Sequence, residues 1–205
     1  MKSISIVLLG CNGVGKSSII YRLVMNRYLD DVDYNPVIED SFRTMLDVDD
    51  ESYYVNILES IDDEEYQDLR EQFIFRSNGI LLVFSITSSL SFELLEEYFQ
   101  SISKVNKETG IKKPIILVGN KYDSFKERVI TREEGYILAK KFGSEYIEVS
   151  AKTGCNIKKA FCVLIQYIHK FEEEMELSLS LSSSKKEKPK KRNKNMKKKN
   201  NCKIQ

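Results

Sequence analysis

The run Gly10-Cys11-Asn12-Gly13-Val14-Gly15-Lys16-Ser17 has the residue types and spacing for phosphate chemistry. Its glycines let backbone N–H groups close around phosphate oxygens with no Cβ in the way. Lys16 supplies a point charge for β- and γ-phosphates, and the Ser17 hydroxyl can ligate Mg²⁺. Ser18 follows where the next helix points its positive end at the same anion, so Gly10, Asn12, Gly13, Val14, Gly15, Lys16, Ser17 and Ser18 are the phosphate-side candidates. Two further polar clusters, Gly119-Asn120-Lys121-Tyr122-Asp123 and Ser150-Ala151-Lys152, read alone as solvated turns. Other chemistries lack their parts. His169 is the sole histidine, so no Ser/His/Asp or Cys/His arrangement can form. Cys11, Cys155, Cys162 and Cys202 show neither a CxxC pair nor metal-ligand spacing, which fits reduced cytosolic thiols.

These clusters need strands to end where they begin. Ile4–Leu9 is an apolar strand that runs into the phosphate loop, with an amphipathic helix from Ser17 to about Asn26 behind it. Ser41–Val48 and Ser52–Leu58 form a strand pair around the Asp49-Asp50-Glu51 turn. A short helix is expected over Tyr66–Arg76, and Gly79–Phe84 is apolar throughout, as suits a strand buried on both faces. One helix begins at Ser89, with Phe92, Leu95, Tyr98, Phe99 and Ile102 at helical spacing. Ile115–Val118 and Tyr146–Val149 are strands leading into the two polar clusters. Between them Thr131-Arg132-Glu133-Glu134 is a capping box opening a helix to about Phe142, and Ile157–Glu173 is a final helix. Strands alternating with helices imply an α/β fold with a mostly parallel six-stranded sheet and helices on both faces. Ligands of such sheets sit at the carboxyl ends of strands, where all three clusters fall.

The charge is unevenly spread. The chain carries +1 overall, yet Lys185–Lys203 holds eleven Lys/Arg against Glu187 alone, so about −9 remains on the rest. After Phe171 come an acidic run and a Leu/Ser low-complexity stretch, then the Lys/Asn tail. Residues 172–205 therefore read as a disordered linker and tail with little to bury. Neither a secretory signal nor an apolar run of membrane-spanning length is expected.

The three clusters in this order, each after a strand, resemble the nucleotide-binding motifs of the Ras-like small GTPases over residues 1–171. The resemblance implies a G domain of the P-loop NTPase class that binds GTP/GDP with Mg²⁺. Asp123 would accept two hydrogen bonds from N1–H and the exocyclic amine of guanine, a pair adenine cannot offer. By the same resemblance Lys121 and Tyr28 sandwich the base, Asn120 ties loops together, and the Ala151 amide, flanked by Ser150 and Lys152, binds guanine O6. Tyr34–Phe42 looks like the Ras-branch switch I, with Ile38, Glu39, Asp40 and Ser41 as effector residues, and Ile57–Tyr66 aligns with switch II.

The switch segments depart from the family pattern. Val37 stands where a Thr hydroxyl ligates Mg²⁺, and it has no oxygen to offer. Glu59 replaces an Asp that reaches Mg²⁺ through water and is one methylene longer. Asp62 replaces a Gly, and Asp63 stands where a Gln positions the attacking water, as a short anion unsuited to that task. Asn12 replaces a phosphate-loop Gly. These changes lie on the γ-phosphate side, so guanine binding with slow hydrolysis and weak switching is expected. The alternative is a non-hydrolysing pseudo-GTPase acting as a constitutive docking module.

The chain closes on Cys202-Lys203-Ile204-Gln205, which fits a prenylation box with farnesyl on Cys202. One lipid anchors marginally, and the Lys tract adds about 1 kcal/mol per basic residue near an anionic leaflet. A monomer at the cytoplasmic face of the plasma membrane follows as an expectation. Its expected partners are anionic lipids, Ras-type effectors and exchange factors, with no nucleic acid.

Overall fold

The computed structural model describes residues 2–28, 41–60 and 67–184, with backbone alone at Ser41 and over 178–184. The strands are β1 (Lys2–Leu9), β2 (Ser41–Val48), β3 (Glu51–Glu59), β4 (Gly79–Ser85), β5 (Ile115–Asn120) and β6 (Glu145–Glu148). They form one six-stranded sheet in the order β2-β3-β1-β4-β5-β6. Every pairing is parallel except that of β2 with β3. That hairpin turns through Asp49 (φ 49°) and Asp50 (φ 63°). Two left-handed residues give a tight turn that follows the sheet's own twist, and Asp tolerates that conformation.

Alternation along β1 divides the core. Ile4, Ile6 and Leu8 pack with α1 (Lys16–Met25) and α6 (Ile157–Ser184) through Ile19, Ile20, Phe161 and Leu164. Val7 and Leu9 pack on the opposite face with α2 (Gln67–Arg76), α4 (Leu95–Thr109) and α5 (Arg132–Phe142). The central strand β4 is buried at all seven residues, as its unbroken apolar run requires. The capping box forms as read: Thr131 Oγ1 accepts from the Glu134 N–H, and Glu134 accepts from the Thr131 N–H.

Two expectations are corrected. The single helix from Ser89 is divided into α3 (Ser89–Glu93) and α4. At the division the Leu94 carbonyl accepts from both the Glu97 and Tyr98 N–H groups, a tightened turn that apolar spacing alone does not reveal. The disorder expected from residue 172 does not hold over 172–184, because α6 continues to Ser184. Glu, Met and Leu in Glu172–Leu177 are strong helix formers, and extending a helix already nucleated costs far less than starting one.

The last strand is positioned by a missing side chain. A Cβ on Gly135 of α5 would lie 2.4 Å from Cζ of Tyr146 on β6. The Tyr146 hydroxyl donates to Glu148 Oε1 at 2.9 Å, and Arg128 holds both Glu148 oxygens at 2.7 and 3.0 Å. Burial, with the Glu148 carboxylate beside it, pushes the Tyr146 phenol well above its ordinary pKa. Gly135→Ala is expected to destabilise the protein by about 1–3 kcal/mol in chemical denaturation. Tyr146→Phe should not relieve that loss, because the clash falls on the ring.

Candidate functional site

The phosphate loop leaves β1 at Gly10, whose φ is +148° and whose hypothetical Cβ would sit 2.2 Å from the Val83 carbonyl oxygen of β4. Only a residue without a side chain can pass that close to the neighbouring strand. The loop ends at Gly15, the N-cap of α1, with φ +92°. Lys16 is buried at 5 % exposure, and its ammonium donates to the Gly10 carbonyl at 2.7 Å and the Cys11 carbonyl at 3.2 Å. The loop's own backbone thus fixes the direction of the charge.

Asn120, at the end of β5, connects the clusters. Its Nδ2 donates to the Val14 carbonyl at 2.8 Å, and its Oδ1 accepts from the Ala151 N–H at 3.1 Å. It is 2 % exposed, and a Cβ on Gly15 would come within 2.5 Å of its Nδ2. The Ala151 amide that the resemblance gives to guanine O6 here serves this contact. Asp123 lies in the 3₁₀ turn Tyr122–Glu127, entered through Lys121 at φ 68°. Its Oδ1 accepts from Ser150 Oγ at 2.5 Å, and Ser150 Oγ accepts from the Thr153 N–H at 3.0 Å. The carboxylate is aimed by a fully buried serine.

Asn12, Gly13, Gly15, Lys16, Ser17, Ser18, Tyr28, Glu59, Asn120, Lys121, Asp123, Ala151 and Lys152 line one cleft of about 470 Å³, together with Ser124. Three candidates stand behind that lining. Gly10 is the loop's entry, Val14 gives its carbonyl to Asn120, and Ser150 backs Asp123. Tyr28 is 39 % exposed and lines the same cleft as Lys121. Lys16 brings positive charge to this cleft and Asp123 a carboxylate acceptor.

The two metal-side candidates are joined directly. Ser17 Oγ donates to Glu59 Oε1 at 2.6 Å, so the longer carboxylate of β3 reaches the serine directly. Two hard oxygen donors side by side fit Mg²⁺. Ser17 and Glu59 are the residues that would hold it, next to the Lys16 ammonium. Ser41 begins β2, whereas Val37, Ile38, Glu39, Asp40, Asp62, Asp63 and Cys202 lie outside the described residues.

Sequence reading missed Arg22, which donates to the carbonyls of Ala151 and Lys152 in the base-side loop. No local signal marks it, because its targets lie 129 and 130 residues further along the chain. It also missed Ser124 in the cleft wall.

With that geometry in place, the likeness to known proteins is extensive. The family model described as Ras family matches residues 5–170. Protein ras-1 of Neurospora crassa is 42% identical over 170 residues, covering 83% of this chain and 78% of that protein. A Ras-like protein of Laccaria bicolor is 39% identical over 175 residues, covering 85% and 82% respectively. Asn120→Ala removes the link between the phosphate loop and the Ala151 loop. It is expected to weaken GDP binding about 10- to 100-fold in equilibrium titration, since both buried partners lose their mate.

Proposed function

Because the chain belongs to the Ras family of small GTPases, we propose that it retains guanine nucleotide at a membrane surface while hydrolysing GTP slowly and switching weakly. Family membership implies GTP/GDP binding and usually Mg²⁺. The observation that carries the reading is the convergence of Lys16, Ser17, Asn120, Asp123 and Ala151 on one cleft. Asp123, held by Ser150, selects guanine, and Asn120 keeps the base side and the phosphate side in one geometry.

The weakness of the switch rests on residue types. Bound Mg²⁺ would neutralise charge on the phosphate oxygens. Val37 supplies no oxygen toward it, and Glu59 takes the Ser17 hydroxyl directly. Asp62 and Asp63 add two carboxylates to the segment that the family turns toward the γ-phosphate. Two unit charges about 4 Å apart interact by about 4 kcal/mol at an effective dielectric near 20. Even a fraction of that after screening favours GDP over GTP. Asp63 also lacks the amide with which a Gln orients water.

The membrane part of the reading is supported by the basic tract Lys185–Lys203 beside the Cys202-Lys203-Ile204-Gln205 box. Among the described residues no helix is long and apolar enough to cross a membrane. A farnesyl chain on Cys202 and the Lys tract would supply the two signals that stable anchoring needs. Glu39 and Asp40 would then face basic effector surfaces, with less dependence on the nucleotide state than in a switching relative.

Single-turnover assay of the purified full chain is expected to show GTP hydrolysis well below a Ras protein measured alongside. Val37→Thr combined with Asp62→Gly and Asp63→Gln should raise GTP affinity relative to GDP. A normal intrinsic rate, or a triple variant with unchanged GTP affinity, would overturn this account, whereas complete absence of turnover would select the docking-module form. For the anchor, Cys202→Ser should release the protein from membranes in cells, and an unchanged membrane location would rule out lipid anchoring.

A further inference from the structure

One guanidinium ties the end of α1 to the Ala151–Lys152 loop that lines the cleft. Arg22, in the last turn of α1, donates from Nε to the Ala151 carbonyl at 2.8 Å and from Nη2 to the Lys152 carbonyl at 2.6 Å. Its Nη1 donates to the Asn26 carbonyl at 3.1 Å. Ala151 and Lys152 line the cleft, and the Ala151 N–H is held by Asn120. Asn26 is the C-cap of α1, with φ +52°, and two residues later comes Tyr28, which lines the same cleft. Arg22 also runs close along the rest of that loop, since a Cβ on Gly154 would be 3.5 Å from Arg22 Cδ.

An arginine in the last turn of a helix ordinarily does no more than satisfy that helix's orphan carbonyls and complement its dipole. Only the Asn26 contact is of that kind. The two shorter bonds leave the helix for consecutive carbonyls of a loop 129 and 130 residues away. The planar fork of guanidinium suits such a task, because its donors are fixed relative to one another. Ala151 is 3 % exposed, so water competes poorly for its place in the arrangement.

We infer that Arg22 is a positioning residue that clasps the Ala151–Lys152 loop to the end of α1 and sets how slowly nucleotide leaves. Movement of the Ala151–Lys152 loop away from the end of α1 would break these bonds, so Arg22 opposes the opening of that part of the cleft. The effect is expected on the base side, because Lys16 donates to the Gly10 and Cys11 carbonyls and Ser17 to Glu59, none of which is a partner of Arg22. It rests on the reading that the cleft holds guanine nucleotide.

The test uses the full chain loaded with radiolabelled GDP in Mg²⁺, with dissociation followed by filter binding for wild type, Arg22→Ala and Arg22→Lys. Loss of charged hydrogen bonds in Arg22→Ala should accelerate release about 10- to 100-fold. Arg22→Lys, with the charge but a single point of donation, should fall between. The factor by which chelating Mg²⁺ speeds release should be the same in all three, since the phosphate side is untouched. Release from Arg22→Ala within twofold of wild type would overturn the inference. So would a changed Mg²⁺ factor, which would mean general loosening, or an Arg22→Lys rate equal to that of Arg22→Ala. Wild type that fails to retain GDP would instead overturn the nucleotide reading itself, before any variant is measured.

Discussion

A single buried carboxamide holds the site together. Asn120 faces the Val14 carbonyl with its donor and the Ala151 amide with its acceptor, and so joins loops that follow β1, β5 and β6. Both bonds lie away from water, where an unmade bond costs the full desolvation of its partner. The approach is possible only because Gly15 has no side chain: a Cβ there would fall on the Asn120 amide nitrogen. The phosphate loop and the Ala151 loop therefore have one common reference point.

That joint works because the sheet delivers its parts to one edge. In the parallel pairing of β1 with β3 and β4, and of β5 with β4 and β6, the carboxyl ends of these strands share an edge of the sheet. Gly10, Glu59, Asn120 and Ser150 all lie at or just beyond such ends. Helices on both faces bury β4 throughout and β1 from Ile6 to Leu9, and leave loops at the strand ends to carry polar chemistry. Distances are tight where a loop or a helix passes a strand, as Gly10 beside the Val83 carbonyl and Gly135 against the Tyr146 ring show.

Local features were legible in the sequence. The phosphate loop, the hairpin at Asp49-Asp50 and the Thr131–Glu134 capping box each depend on residues a few positions apart, so spacing carries the information. The parallel α/β architecture followed from the order of apolar runs, and Tyr28, Asn120, Lys121, Asp123, Ala151 and Lys152, which the resemblance named, line one cleft. What sequence did not show depends on partners distant in the chain or on small differences in helix energy. Arg22 meets Ala151 and Lys152 only after folding. The division at Leu94 and the continuation of α6 to Ser184 turn on a shared carbonyl and on helix propagation, neither of which alters apolar periodicity. The direct Ser17–Glu59 contact turned on one methylene, whose reach depends on where β3 ends.

Lys16 also bears on the thermodynamics of anion capture. A lysine that becomes ordered only when its ligand arrives gives up about 1.5–2 kcal/mol of rotamer freedom at that moment. Here the Gly10 and Cys11 carbonyls already hold the ammonium, and the stem is buried. Its conformational entropy is lost during folding, so an arriving phosphate meets a cation that has little freedom left to surrender.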